Sequence, residues 1–541
     1  MMFLKYVVIF MKFSVIPQPQ KFLVGSDETV FELTESTNLI FCDEAQNAYD
    51  DFVGFSKKVF GFVPMGGGKQ TVVVKTQEGF EKSESYNITV DYDRIDVVAS
   101  DAAGAFYAVQ TLKQLLLQNK LCLPKAEIVD FPQYKWRGFM LDTGRYFYSV
   151  ESVKLFIDAM ALHKLNRLHL HLTDDQGWRV EIYSKLLLAQ VGGFRPYTNF
   201  GRTPHGGFYT KEDIKEIVDY AHDRFIKVIP EIDQPGHTVS AIAAYPELSC
   251  FEREIPVATH SGVKHDVLCA GKESTYEFMF CVLDEICEMF PDKIVHLGGD
   301  EVPVTRWKLC PHCQKLMKEK GMKDESELHT YYLSKIASYL KDKGVDVIMW
   351  NDSSPESKLS KDIIWQCWNG DLNRKDAAQQ INSGRRLINS ISEAYYLDLP
   401  YGHINLKKCY DYEPFFEGID KDKEYDFLGG EACLWSEYVP TMKKAGYCTF
   451  PRLAAFCESV WTKKENKSYD AFALKMPFYY RLLDTLPFDY ASKKQAMPGI
   501  IRKTGYNLWF ERRKLHWQGL HNIIDNNKVK KLAEEKEKNN D

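Results

Sequence analysis

Nothing in the 541 residues is apolar for long enough to cross a bilayer. The one early run, Tyr6 to Met11, falls far short of the ~20 residues that a spanning helix needs, and no small-residue cleavage site follows it. A surplus of positive charge is missing too: 69 Lys+Arg against 75 Asp+Glu leave a formal charge of −6, which argues against nucleic acid as the main partner. There is no dense disulfide framework. The 13 cysteines, an odd number, are scattered from Cys42 to Cys457, a usage that favours a reducing compartment such as the cytoplasm. Read as a shortened signal peptide, the N-terminal run would instead point to a secreted or periplasmic protein. The run Gly66-Gly67-Gly68 lacks the downstream Gly-Lys-Ser/Thr and helix of a phosphate loop, and it reads as a turn shaping a hairpin.

What is abundant is aromatic surface: 10 Trp, 30 Tyr and 33 Phe make up 13% of the chain, enough to fill a core and to line a cleft with flat faces suited to sugar rings. With 27% charged and 45% apolar residues, the chain is that of a folded globular protein. The spacing predicts three parts. Residues 13–131 read as a small α/β domain, with strands at Thr71–Lys75 and Tyr86–Val90 and a capped helix from Asp101 to Gln118. From 132 to 495 eight short apolar runs recur with helical segments between them: Gly138–Asp142, Arg167–Asp175, Lys227–Asp233, Ile294–Glu301, Val345–Asp352, Ile363–Trp368, Arg386–Ser392 and Gly429–Glu437. Runs buried on both faces and separated by helices are what a parallel (β/α)8 TIM barrel requires, and only the link Ser353–Asp362 is too short for more than a small helix. The fold class is therefore α/β, a barrel preceded by the small domain. Residues 496–541 form an extension whose apolar part, Tyr506–Leu520, is expected to pack on the domain, while Lys528–Asp541 is expected to fray or be disordered.

In such a barrel the carboxyl ends of the strands build the active site, and here the runs end in Asp, Glu, Trp, Arg or Tyr. The sharpest pair is Asp300-Glu301. Neighbours on an extended segment point to opposite sides, so the two cannot flank one scissile bond as acid and nucleophile. Acid catalysis by the longer Glu301, with Asp300 supporting a nucleophile that belongs to the substrate, fits this constraint.

The ordered motifs Arg137-Gly-Phe-Met-Leu-Asp-Thr-Gly-Arg145, His171-Leu-Thr-Asp-Asp-Gln-Gly-Trp178, Pro230-Glu-Ile-Asp-Gln-Pro-Gly-His237, His296-Leu-Gly-Gly-Asp-Glu301, Tyr396-Leu-Asp398 and Trp435-Ser-Glu437 resemble those of family 20 glycoside hydrolases, the β-N-acetylhexosaminidases. The resemblance runs from about residue 15 to 490. It implies an exo-acting hydrolase that removes terminal β-linked N-acetylglucosamine or N-acetylgalactosamine with retention, through an oxazolinium formed by the substrate's own 2-acetamido group. It implies Glu301 as acid and then base, Asp300 as brace for the acetamido N–H and the positive intermediate, and Tyr396 as hydrogen-bond partner of the acetamido oxygen. Arg145, Asp398 and Glu437 match sugar-binding positions, and Trp350, Trp368 and Trp435 match the pocket walls. His237 and Asp174 match a pair that supports the acid, with Asp174 chosen over Asp175 as the residue facing the pocket. No cofactor and no metal are implied; the partners are N-acetylhexosamine-containing oligosaccharides or glycoconjugates, and a homo-oligomer is left open.

Two rival readings use the same residues. His169 and His171 form an H-x-H pair which, with His237, His296 and Asp300, would suit a metal-dependent amidohydrolase barrel. A catalytically silent sugar-binding protein would keep the pocket and lose turnover. Cys310-Pro-His-Cys313 has zinc-knuckle spacing without a second C-x-x-C anywhere in the chain, and it reads as a surface loop bordering the pocket.

Overall fold

Two burial rhythms along the chain produce two kinds of sheet. Tyr86–Val90 and Arg94–Ala99 bury every second side chain, so each offers one face to a partner layer. Trp136–Asp142 is buried at all seven positions, which demands cover on both sides. The computed structural model describes residues 14–25, 30–352, 359–369, 374–512, 524 and 527–531.

The one-faced strands form a six-stranded sheet of β1 (Lys21–Val24), β2 (Asn38–Phe41), β3 (Thr71–Thr76), β4 (Tyr86–Val90), β5 (Arg94–Ala99) and β6 (Ala126–Asp130), in the order β1-β6-β4-β5-β3-β2. Strands β2 and β3 run parallel, so the chain must cross over between them, and it does so through α1 (Gln46–Phe55). The hairpin expected at Gly66-Gly67-Gly68 is therefore corrected: these glycines lie on the return leg of a crossover, with Gly66 and Gly67 at φ 87° and 97°.

Helix α2 (Ala102–Gln118) covers this sheet. Its N-cap is Asp101, whose carboxylate accepts the Gly104 N–H at 2.8 Å. A Cβ at Gly104 would stand 2.4 Å from the Ser85 carbonyl oxygen, so only glycine lets the helix lie this close. The polar joint to the following part is Asp130. Lys164 Nζ reaches its Oδ2 at 2.9 Å and the Trp461 indole N–H donates to its Oδ1 at 2.9 Å. Both charges are fully buried, an arrangement in which deleting one partner costs about 3–5 kcal/mol.

The fully buried strands close into a parallel barrel: β7 (Trp136–Asp142), β8 (Arg167–His171), β9 (Lys227–Glu231), β10 (Ile294–His296), β11 (Asp346–Trp350), β12 (Ile364–Cys367), β13 (Leu387–Asn389) and β14 (Phe427–Leu434), with β14 pairing back onto β7. These are the eight runs expected from the sequence, in the same order. Helices α3 (Val150–Leu162), α4 (Lys211–His222), α5 (Glu273–Met289), α6 (Pro311–Lys320) and α7 (Glu325–Asp342) lie on the outside. Helix α4 shows why: Thr210 and Asp213 form a capping box, and Ile214, Ile217, Val218 and Ala221, spaced at one helical face, are its buried residues.

Inside the barrel, Trp136, Ile229, Ile348, Ile364 and Ile388 make an apolar layer. Glu431 stands above it, and a Cβ at Gly138 on the neighbouring strand would lie 2.2 Å from Glu431 Oε2, which explains the glycine in the Arg137-Gly-Phe motif. Of the extension, residues 500–512 are helical and bring Phe510 onto the barrel mouth, where it is 7% exposed. Trp517 and Leu520, the early run Tyr6–Met11, residues 353–358 of the short link and 532–541 of the charged tail lie outside the described residues, and 528–531 are helical. Among the described residues no helix is long and apolar enough to cross a membrane.

Candidate active site

Strand β10 ends at His296, well before the acidic pair, because Gly298 and Gly299 take φ 63° and 90° and turn the chain inward. Glu301 itself is left-handed at φ 50°, a conformation that costs a non-glycine residue about 1–2 kcal/mol and clusters at functional sites. This corrects the expectation of an extended segment with opposed side chains: Asp300 and Glu301 line one cavity. Asp233 fixes the turn. Its Oδ1 accepts the Gly299 N–H at 3.1 Å, and a Cβ at Gly298 would fall 1.8 Å from the same oxygen. The Glu301 N–H donates to Asp352 Oδ2 at 3.3 Å, while Asp352 Oδ1 accepts the indole N–H of Trp368 at 2.9 Å, tying acid and wall together.

The cavity has a volume of about 270 Å³ and is lined by Arg145, Asp174, His237, Asp300, Glu301, Trp368, Tyr396, Asp398, Trp435 and Glu437, with Gln176, Gly262, Val263, Leu399, Tyr438 and Phe510 completing it. Small-ligand sites run from roughly 300 to 1,000 Å³, so this one suits a single ring. Ten of the eleven residues expected from the sequence are brought together here. The eleventh, Trp350, stands behind the wall: it is 1% exposed, donates its indole N–H to Glu231 Oε1 at 2.8 Å, and supports Trp435 at 5.7 Å between ring centres. Trp368 and Tyr396 lie nearly parallel at 6.3 Å, and Trp435 is 5.9 Å from Tyr396.

Arg145 is placed by the first and last strands. Asp142, at the end of β7, accepts the Arg145 N–H at 3.0 Å and the Ser436 N–H at 2.8 Å. The guanidinium then reaches Asp174 Oδ2 at 2.8 Å and covers the Trp435 ring at 4.7 Å. Burial would raise Asp174, but Arg145 and His237 outweigh it and hold the carboxyl far below its ordinary range. Asp174 faces the cavity, whereas Asp175 accepts the Val239 N–H at 3.1 Å and is not part of the lining.

His237 bridges the two acidic groups, with Nδ1 3.4 Å from Asp174 Oδ1 and Nε2 3.7 Å from Glu301 Oε2. Burial disfavours its charge, yet Asp174 overrides this and keeps the imidazole cationic, well above its usual value. For Glu301 burial pushes up and His237 and Arg145 pull down, leaving it below the ordinary value; its side chain is 43% exposed at the mouth. Asp300 is driven well above the carboxylate range by burial and by Asp233, which is itself pushed up to about 7 by burial. Asp398 also rises to about 7 by burial, and Glu437 is raised by burial against the pull of Arg145. Among the described residues, Asp300 Oδ1 and Asp398 Oδ1 have no hydrogen-bond partner, two buried acceptors turned to a polar guest.

The H-x-H pair is engaged elsewhere. His169 Nδ1 meets Glu431 at 2.7 Å, and His171 meets Glu231 at 2.5 Å through Nδ1 and Asp174 at 2.9 Å through Nε2. Burial disfavours a charge on His169, but Glu431 and Glu231 raise it to about 9. These contacts turn the histidines of the amidohydrolase reading into a charge-balanced stack beneath the sugar-sized cavity. Glu231 and Glu431 carry this support, as Asp233 and Asp352 carry the turn at Glu301, and the sequence reading names none of the four as a site residue. Glu431, an acid in the middle of a run buried on both faces, was the available signal.

The surface-loop reading of Cys310-Pro-His-Cys313 is also corrected: both cysteines are fully buried, Cys310 as the N-cap of α6. The two sulfurs pack against Cys269 and Cys250 instead of facing solvent.

With this geometry in place, the similarities are informative. The family description "Glycosyl hydrolase family 20, catalytic domain" matches residues 134–464, and "Glycosyl hydrolase family 20, domain 2" matches residues 12–131. A beta-hexosaminidase of Porphyromonas gingivalis is 39% identical over 438 residues, covering 77% of this chain and 56% of that protein. A beta-hexosaminidase of Akkermansia muciniphila is 34% identical over 73% of this chain and 83% of its own length. Among solved structures, a GH20 exo β-N-acetylglucosaminidase from Vibrio harveyi, in complex with N-acetylglucosamine, superposes with TM-score 0.81 at 29% identity, covering 89% of this chain and 78% of that one. The β-N-acetylhexosaminidase of Bacteroides fragilis gives 0.76 at 30% identity, covering 90% and 99%.

Proposed function

Because the chain belongs to glycoside hydrolase family 20, we propose that it removes single terminal β-linked N-acetylhexosamine units from oligosaccharides or glycoconjugates. The observation that carries this reading is the turn at Gly298–Glu301, which brings Asp300 and Glu301 into one cavity walled by Tyr396, Trp368 and Trp435.

The sugar stacks against the aromatic wall, and Arg145, Asp398 and Glu437 receive its hydroxyls. Its 2-acetamido oxygen, held by the Tyr396 hydroxyl, attacks the anomeric carbon from below as the glycosidic bond breaks. Glu301 gives its proton to the departing oxygen. Asp300 accepts the acetamido N–H and balances the positive charge that develops on the oxazolinium, so the intermediate favours the ionised form that burial resists. Water, deprotonated by Glu301, then opens the ring and restores the acetamide with the original anomeric configuration. The exposed part of Glu301 loses its water when the sugar docks, which raises its proton affinity, and His237 supplies a positive neighbour for the carboxylate state that follows. A site so poised needs no nucleophile from the protein.

The test is an aryl β-glycoside pair differing only at C2. Replacing the acetamido group by hydroxyl should lower kcat/KM by about 10³-fold or more, since the internal nucleophile contributes as a preplaced reactant. Comparable turnover of the two would refute the mechanism.

A further inference from the structure

Four cysteine sulfurs meet in one buried place, although they are far apart in the chain. Cys250 is 5% exposed and Cys269, Cys310 and Cys313 are fully buried. All four Sγ atoms lie within 4.8 Å of one another, and Cys269 Sγ is 3.7 Å from both Cys310 Sγ and Cys313 Sγ. A disulfide would bring two sulfurs to about 2.05 Å. Four thiolates around a tetrahedral ion at about 2.3 Å stand about 3.8 Å apart, close to the 3.7 Å that separates Cys269 Sγ from Cys310 Sγ and Cys313 Sγ. Two of the four sit at the start of α6, with Cys310 as its N-cap and Cys313 in its first turn. There the free backbone N–H groups and the helix dipole favour thiolate over thiol.

The surroundings hold the cluster in shape. Arg306 Nε meets Asp266 Oδ1 at 3.1 Å, the Trp307 indole N–H donates to the Leu268 carbonyl at 3.0 Å, and a Cβ at Gly271 would lie 2.3 Å from the Cys313 nitrogen. Two segments are pressed together at this point. One runs from His237 through Gly262 and Val263, which line the cavity, to Cys269. The other runs from Glu301 to Cys313.

We propose that Cys250, Cys269, Cys310 and Cys313 bind one zinc ion as four thiolates, a structural site that locks the loop bearing His237 to the segment that begins at Glu301. Loading replaces four S–H protons, released to solvent, by four Zn–S bonds, and no oxidant is involved. The ion has no open position and takes no part in sugar chemistry. The site stands independently of the hydrolase reading.

Metal analysis of the full chain, purified under reducing conditions and desalted, should find about one zinc per molecule. Mercurial titration should release that zinc together with four thiols. Cobalt replacement should give the sulfur-to-metal charge-transfer band and the intense d–d bands of a tetrahedral thiolate centre. Cys310→Ser should lose the zinc and melt several degrees lower, whereas Cys281→Ser, at an exposed cysteine outside the cluster, should keep both. Should the serine variant fail to fold, prolonged chelation of the natural chain should lower its Tm and added zinc restore it. Less than about 0.1 zinc per chain after exposure to excess zinc would overturn the assignment. So would full zinc occupancy in Cys310→Ser, or two disulfides among these four residues in the freshly purified protein.

Discussion

Replacing Asp398 by Asn should stabilise the protein in a pH-dependent way. Asp398 lines the cavity, and burial lifts its carboxyl from the ordinary 3.8 to about 7. The native state therefore binds this proton more tightly than the unfolded chain does. That stabilisation is fully present below about pH 4 and is lost as the pH rises through about 7, where the carboxylate must be buried charged. At 1.36 kcal/mol per pH unit the difference is about 4 kcal/mol, and the side chain's opening to the cavity lets solvent reduce it to about 2 kcal/mol. Asparagine does not titrate, so any fixed cost of its amide shifts all pH values equally and cancels in the comparison. Urea unfolding of both proteins at pH 4.5 and pH 8 reads the effect: the variant should gain about 2–3 kcal/mol relative to the natural chain between the two. Turnover should fall at the same time, because an acceptor for the sugar is lost, an instance of stability given up for function. A gap between the two proteins that stays within about 0.5 kcal/mol over this range would refute the reasoning.

Two further substitutions separate the roles of the acidic pair. Glu301→Gln should reduce kcat by about 10²–10⁴-fold on natural oligosaccharides but by far less on dinitrophenyl glycosides, whose leaving group needs no proton; equal losses in steady-state assays would contradict an acid at this position. Asp300→Asn should cost about 10²–10³-fold on both kinds of substrate, since the charged intermediate forms whatever departs, and a loss confined to poor leaving groups would argue against its bracing role.

The parts of this protein that were legible in its sequence are those written in local rhythm. The runs Gly138–Asp142 and Lys227–Asp233 read as strands because burial on both faces leaves short apolar stretches, and the strands found there are Trp136–Asp142 and Lys227–Glu231. The acidic pair Asp300-Glu301 is legible at a strand end, where a barrel exposes it, whereas Arg145, Asp174, His237, Tyr396, Asp398 and Glu437 come from the resemblance to family 20. Depth was not legible: Trp350 occupies a strand end like Trp368, yet only the closed ring decides that it lies one layer lower, on Glu231. The turn at Gly298-Gly299 reads as extended chain in the sequence, although its two glycines permit the left-handed geometry found there. Glu231 and Glu431 went unnoticed because a carboxylate within a strand reads as an outward residue until the facing histidines are in place. The cysteine cluster was hidden for a different reason, since only Cys310 and Cys313 keep motif spacing and their partners come from another loop.

The contact of Asp142 with the backbone of both Arg145 and Ser436 joins positions 294 residues apart. A growing polypeptide that has made Asp300, Glu301 and Tyr396 still lacks the keystone that sets the sugar clamp, because Trp435 and Glu437 arrive only with the final stave of the ring. Competence is thus deferred until the cylinder shuts, and a half-finished molecule holds its acids without a place to use them.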